Sequence, residues 1–179
     1  MKVGIISTGS MGTTLGKMCQ DNGHEVYWAS DGRSERSRSN ANKFGFSDVV
    51  IQRNLVEMCD AIFCVVSGEG NALSIAEMCG KNGYRGIYVD ANGFSSDTTD
   101  IMLYRLAYKY RLKLTEMGIR GWTVFDEQIP RPETAKMFIS SPEAETVKDL
   151  LNSPNWVFTT NDEVRPKQTI REFNAGLRQ

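Results

Sequence analysis

Residues 2–12, KVGIISTGSMG, organise the reading of the rest of the chain. Lys2–Ser7 (KVGIIS) is a short run rich in β-branched residues, the composition of a parallel strand covered on both faces. It passes into Ser7-Thr8-Gly9-Ser10-Met11-Gly12, and a helix is expected from about Met11 to Asn22. Met11, Leu15, Met18 and Cys19 recur on one face of that helix, and Gly23 stops it. In a strand–turn–helix of this kind, glycines allow a tight bend, close approach of a pyrophosphate, and close packing of helix on strand. Gly9 and Gly12 keep the second and third glycine positions, Ser7 stands at the first, and Gly16 adds a small residue on the packing side. The free N–H groups around Ser10–Gly12 would then face an anion at the positive end of the helix dipole. The motif therefore predicts a bound dinucleotide, its phosphates over Thr8, Gly9, Ser10, Met11 and Gly12.

Outward from this turn, strand and helix alternate. Glu25–Ala29 (EVYWA) reads as a second strand, Ser34–Phe44 as a polar helical segment and Asp48–Val50 as a short third strand. Ala61–Val66 (AIFCVV) is the clearest buried strand. Ala72, Ile75, Ala76 and Cys79 then mark a helix face that closes in the Gly80 to Gly83 region. Gly86–Asp90 is a fifth strand and Thr98–Leu112 a long helix. Thr123–Gln128 is expected as a sixth strand, broken off by Pro130 and Pro132. Strand Lys136–Ser140, helix Glu143–Leu151 and strand Trp156–Thr159 complete the pattern. Parallel strands need helical crossovers, so the class is α/β: a Rossmann-type, doubly wound, mostly parallel sheet. Residues 1–160 form one dinucleotide-binding domain, and 161–179 a tail with a short helix opened by Pro166.

Composition narrows the function. The chain has 179 residues, 40% hydrophobic and 24% charged, with a formal net charge of −1. These values describe a globular domain, and argue against a bulk nucleic-acid binder or a membrane-surface protein. No apolar run approaches the ~20 residues of a bilayer span. The N-terminus enters a strand directly and does not resemble a signal peptide. Cys19, Cys59, Cys64 and Cys79 lack C-x-x-C spacing, and read as buried, reduced thiols of a cytoplasmic protein. With His24 the only histidine, no metal site is expected.

The end of the second strand bears on the cofactor. An NAD enzyme usually carries an acidic residue there to bind the adenine ribose. Here Ser30 holds that position, followed by Asp31, Gly32, Arg33 and Ser34, with Arg36 and Arg38 beyond. A small hydroxyl beside a guanidinium suits a 2′-phosphate, which favours NADP(H) over NAD(H). Asp31 argues the other way, because it would repel the phosphate if turned inward.

The ordered set VGIISTGSMGTTLG, GHEVYW, the loop after AIFCVV, and YVDANGFSSDT resembles the β-hydroxyacid dehydrogenase and 6-phosphogluconate dehydrogenase family over residues 1–160. The resemblance implies two antiparallel strands after the sixth parallel one, matched by AKMFISS and WVFTT. It implies oxidation of a hydroxyl by the nicotinamide, with Val65, Val66 and Ser67 beside the cofactor. Asn92 and Gly93 fall where relatives touch substrate. Relatives carry a catalytic lysine, closely followed by asparagine, on the helix that opens an all-helical second domain. Asn174 matches the asparagine, but Arg171 stands at the lysine position. It would orient an anion and is a poor proton acceptor. Lys167, one turn earlier, would substitute only with a shifted backbone. The chain ends at Gln179, before that helical domain.

Two functions stay open: an NADP(H)-binding oxidoreductase, or a non-catalytic dinucleotide-binding or partner-docking module. Another nucleotide or a methyl donor in the same pocket is a third, weaker reading. Ile170, Phe173 and Leu177 on the tail, and Met102, Leu106 and Tyr110 on the long helix, form apolar stripes that suggest a homodimer.

Overall fold

The computed structural model describes residues 1–92, 97–120, 136–140, 142–153 and 157–160. Eight strands form one sheet: β1 (Lys2–Ile5), β2 (Glu25–Trp28), β3 (Ser47–Asp48), β4 (Ala61–Cys64), β5 (Ile87–Asp90), β6 (Lys113–Arg120), β7 (Lys136–Ser140) and β8 (Val157–Thr160). Six helices accompany them: α1 (Ser10–Asp21), α2 (Glu35–Lys43), α3 (Gln52–Met58), α4 (Glu69–Lys81), α5 (Asp97–Tyr110) and α6 (Ala144–Leu150).

The strand order is β3-β2-β1-β4-β5-β6-β7-β8. Strands β1 to β6 pair in parallel. β7 runs antiparallel to β6, and β8 runs parallel to β7. Both final strands therefore oppose the six-stranded parallel sheet, as the resemblance implied. The chain steps outward from β1 to β3, then returns and steps the other way from β4. The connections leaving β1 and β4 diverge, which opens a crevice beyond their carboxyl ends.

Side-chain alternation along the strands supplies two cores. Val3, Ile5, Trp28, Phe63, Val89 and Met117 pack on one face with Leu15 of α1 and Val147 and Leu150 of α6. Ile62, Cys64 and Tyr88 point to the other face, against Leu55 of α3, Ala76 and Cys79 of α4, and Leu103 and Ala107 of α5. Successive residues such as Ile62 and Phe63 belong to opposite cores, so a central strand such as β4 is apolar on both faces.

Three sequence expectations change. The helix α3 was not anticipated; it is only seven residues long, with Leu55 and Val56 as its buried positions. Strand β3 begins at Ser47, and Val50 lies beyond it with φ 68°, a left-handed turn residue that cannot continue the strand. The sixth strand is Lys113–Arg120, starting directly after a helix expected to run to Leu112. That helix stops at Tyr110 because Arg111 adopts φ 56°. The Arg111 amide then bonds the Tyr108 carbonyl at 3.3 Å and the Leu112 amide the Ala107 carbonyl at 2.9 Å. This is a Schellman ending made without its usual glycine, so nothing in composition announces it. The expected strand Thr123–Gln128 lies outside the described residues, as does the tail 161–179.

The apolar stripe on α5 is also shifted. Leu103 and Ala107 are its buried positions, with Leu106 and Tyr110 packed beside them in the core. Met102 belongs instead to an exposed face with Ile101, Tyr104 and Tyr108, the last 91% exposed. A shallow depression of about 350 Å3 there is lined by Ile101, Tyr104, Arg105 and Tyr108.

Candidate dinucleotide site

At the carboxyl end of β1, the glycine turn separates two requirements. Gly12 has to lack a side chain, since a Cβ there would lie 1.9 Å from the Ser7 carbonyl oxygen. Gly16 is also tightly packed, against Phe46, whose ring would be 2.5 Å from an added Cβ. These two glycines let α1 lie tight on β1 and on the loop before β3. Gly9 differs. Its φ of −68° and ψ of −178° suit any residue, and a Cβ there would meet nothing within 4 Å. The space over Gly9 is open, as a pyrophosphate would need.

Gly9 is the N-cap of α1 and offers no side-chain cap. The first helical bond runs from the Thr13 amide to the Gly9 carbonyl at 2.9 Å, which leaves the Ser10, Met11 and Gly12 amides without a partner inside the helix. No acidic residue occupies the first turn. Three amides without a helical partner and the positive end of a helix dipole thus lie beside the open space over Gly9.

Thr8 is fully buried and holds this turn in place. Its hydroxyl donates to the Ser37 carbonyl at 2.8 Å, while its carbonyl accepts from Asn40 at 2.9 Å and from Thr13 at 3.1 Å. The hydroxyl is therefore committed to α2, leaving its backbone position as what Thr8 contributes to the cradle. Asn40 and Thr13 have no place in a glycine motif, and only the packing of α2 against the turn reveals them.

At the end of β2, Ser30 is buried. Its amide donates to Asp48 at 3.1 Å, and its carbonyl accepts from Arg38 at 2.8 Å and from the Arg33 amide at 3.1 Å. Asp48 also accepts from the Val50 amide at 2.8 Å. Desolvation works to raise the Asp48 pKa, but bonds from Ser30 and Val50 and the charge of Arg38 hold it below the ordinary carboxylate value. Ser34 caps α2, its hydroxyl accepting from the Ser37 amide at 3.2 Å. Asp31 is exposed and gives its amide to the Val50 carbonyl at 2.8 Å.

Arg33 stands apart from these satisfied groups. Its Nε and Nη2 are buried and have no hydrogen-bond partner among the described residues. Burial lowers its pKa, opposed by the Cys64 side chain at the end of β4. A half-buried guanidinium with unused donors costs free energy unless an anion meets it. Arg38, by contrast, is spent on the Ser30 carbonyl.

On the other side of the switch point, Val65 and Val66 are half-buried and Ser67 is exposed. Asn92, at the end of β5, is 4% exposed. Its Oδ1 accepts from the Val66 amide at 2.7 Å, and its Nδ2 donates to the Cys64 carbonyl at 3.1 Å and to Asp90. Both amide hydrogens are thus committed within the protein. Gly93, Lys167, Arg171 and Asn174 lie outside the described residues.

The four cysteines form no disulfide and are buried. Desolvation pushes the thiols of Cys19, Cys59 and Cys79 up to about 12, so they are neutral packing groups near neutral pH. Among the described residues no helix is long and apolar enough to cross a membrane.

Comparison with known proteins agrees with this geometry. Among curated proteins none matches the chain. A conserved protein of unknown function, described as structurally similar to 3-hydroxyacid dehydrogenases, superposes with a TM-score of 0.78 at 22% identity, over 99% of this chain and 64% of its own. The imine reductase from Myxococcus stipitatus in complex with NADP+ gives 0.77 at 14% identity, over 99% of this chain and 61% of that one. A variant of the same enzyme in complex with NAD+ gives 0.77 at 14%, over 98% and 60%. The chain thus spans less than two thirds of the length of these structures.

Fold and crevice define an oxidoreductase-type Rossmann domain of the NAD(P)-binding class. The sequence profile described as "NADP oxidoreductase coenzyme F420-dependent" matches residues 2–91, half of the chain, and the chain belongs to that family.

Proposed function

We propose that this chain binds NADP(H) in preference to NAD(H), and forms the cofactor half of an oxidoreductase acting on a hydroxyl or imine carbon. The single observation that carries the preference is Arg33, a buried guanidinium with two unused donor nitrogens just beyond β2. A 2′-phosphate would accept from those nitrogens and repay the desolvation of the charge. Asp31, exposed beside it, leaves the inward space to Arg33.

The cofactor's pyrophosphate would take the Ser10, Met11 and Gly12 amides over the open face of Gly9. The nicotinamide supplies hydride transfer when bound, and the protein's part is to hold the dinucleotide across the switch point. Ser7 and Thr8 shape the turn, Ser30 and Ser34 the ribose end, and Val65, Val66 and Ser67 the loop alongside. By resemblance, Gly93 and Arg171 serve the substrate, with Asn92 in the same segment as Gly93. We further assign the exposed α5 face, with Ile101, Tyr104 and Tyr108, to a homodimer contact. The neutral buried thiols suit the reducing cytoplasm.

Titration with NADPH and NADH tests the reading. Arg33→Ala is expected to weaken NADPH about 10- to 100-fold, as loss of one or two charge-assisted bonds would, and to leave NADH nearly unchanged. An equal loss for both cofactors would overturn the assignment of Arg33.

A further inference from the structure

Asn92 joins the ends of β4 and β5 through its side chain. The Cys64 carbonyl, at the end of β4, receives the Ala91 amide at 3.1 Å and the Asn92 side chain at 3.1 Å. Two residues further on, the Val66 amide is captured by Asn92 Oδ1 at 2.7 Å. That amide lies past the last residue of β4 and before Gly68, whose φ of 87° turns the chain into α4. Without Asn92, a half-buried N–H would lose its partner at the point where the backbone leaves the sheet.

A Rossmann crevice is built from two mononucleotide halves, and β4 and β5 belong to the second, which carries the nicotinamide. We infer that Asn92 is a positioning residue: it sets the course of Val65–Ser67 and through them the seat of the nicotinamide nucleoside. This rests on the proposed dinucleotide reading and adds a division of labour to it. The phosphates and the 2′-phosphate are held from β1, α1 and Arg33, none of which Asn92 touches. Loosening Val66 should therefore be felt at one end of the cofactor only.

The test compares NADPH with 2′-phospho-ADP-ribose, a fragment that lacks the nicotinamide. Asn92→Ala is expected to weaken NADPH about tenfold, the scale of one buried hydrogen bond, while the fragment stays within about twofold of wild type. Asn92→Ser keeps a hydroxyl at the position and should fall between wild type and Asn92→Ala; it also serves if the alanine variant does not fold. Equal weakening of both ligands would make Asn92 a general structural residue, and unchanged affinity for both would leave it no role. Either result overturns the inference. Failure of the wild-type chain to bind the fragment at all would instead overturn the dinucleotide reading beneath it.

Discussion

The two halves of the crevice treat buried polar groups in opposite ways. On the β1–β3 side, the anchoring groups are left open: three helix amides without internal partners and a guanidinium with unused nitrogens. On the β4–β5 side, Asn92 is buried with both its amide hydrogens used. Donors left open in this way are ready partners for an anion, which suits the first half to the proposed dinucleotide. A satisfied network rigidifies what it touches, so the second half is built to hold a backbone path. Anchoring and placement are thus separated along one cofactor.

The strongest way to break this comparison is Gly12→Ala. Its Cβ would lie 1.9 Å from a backbone oxygen, and backbone cannot rotate away as a side-chain tip can. We expect a loss of about 3 kcal/mol or more, read as a fall in the denaturation midpoint, with cofactor binding lost alongside. A near-normal midpoint would show that α1 does not sit on β1 as closely as described.

Gly9→Val sharpens the same region, since it should spare the fold. Its side chain would enter open space, so thermal stability should stay near wild type while NADPH binding falls at least about a hundredfold, through loss of two charge-assisted bonds. Normal binding by this variant would place the phosphates elsewhere.

Gly80→Ala gives a control far from both halves. An added Cβ would lie 2.4 Å from the base of the Tyr110 ring, where α4 crosses α5. The better helix propensity of alanine is worth only about 1 kcal/mol, less than the strain. We expect a net destabilisation of about 1–2 kcal/mol and unchanged cofactor affinity. A stabilised variant would mean that Tyr110 moves aside freely.

The smallest effect concerns Asp48, whose carboxyl is held below its ordinary value. Its folded-state pKa is depressed, so its stabilisation is present above the unfolded value of about 3.9 and is lost as pH falls through the folded one. Asp48→Asn should remove that dependence, leaving a slightly flatter stability curve below about pH 4 in acid denaturation. An identical curve for the two proteins would show that Asp48 adds nothing beyond its place at the end of β3.

Local chemistry made much of this legible. Lys2–Ile5 and Ala61–Cys64 are apolar because both faces are covered, and that pattern is readable without a structure. Gly9 and Gly12 were legible as a pair, but not their different duties, because only the position of the Ser7 carbonyl separates a glycine that must be small from one that faces a ligand. Ser30 and Arg33 were recognisable as the stretch just after the second strand, on which the proposed cofactor preference rests. That Arg33 rather than Arg38 is the unused cation depends on which one reaches the Ser30 carbonyl, a contact across the β2–α2 connection.

Sequence by itself determined the class of fold, the strand–turn–helix opening at β1 and α1, and most of the alternation that follows it. Each follows from spacing within a few residues, where backbone geometry and burial act directly. Tertiary structure decided the ending of α5 at Arg111, the place of β6, the two-strand reach of Asn92 and the isolation of the Arg33 guanidinium. Those depend on groups that lie far apart along the chain and meet only when the sheet has formed, so no local pattern encodes them.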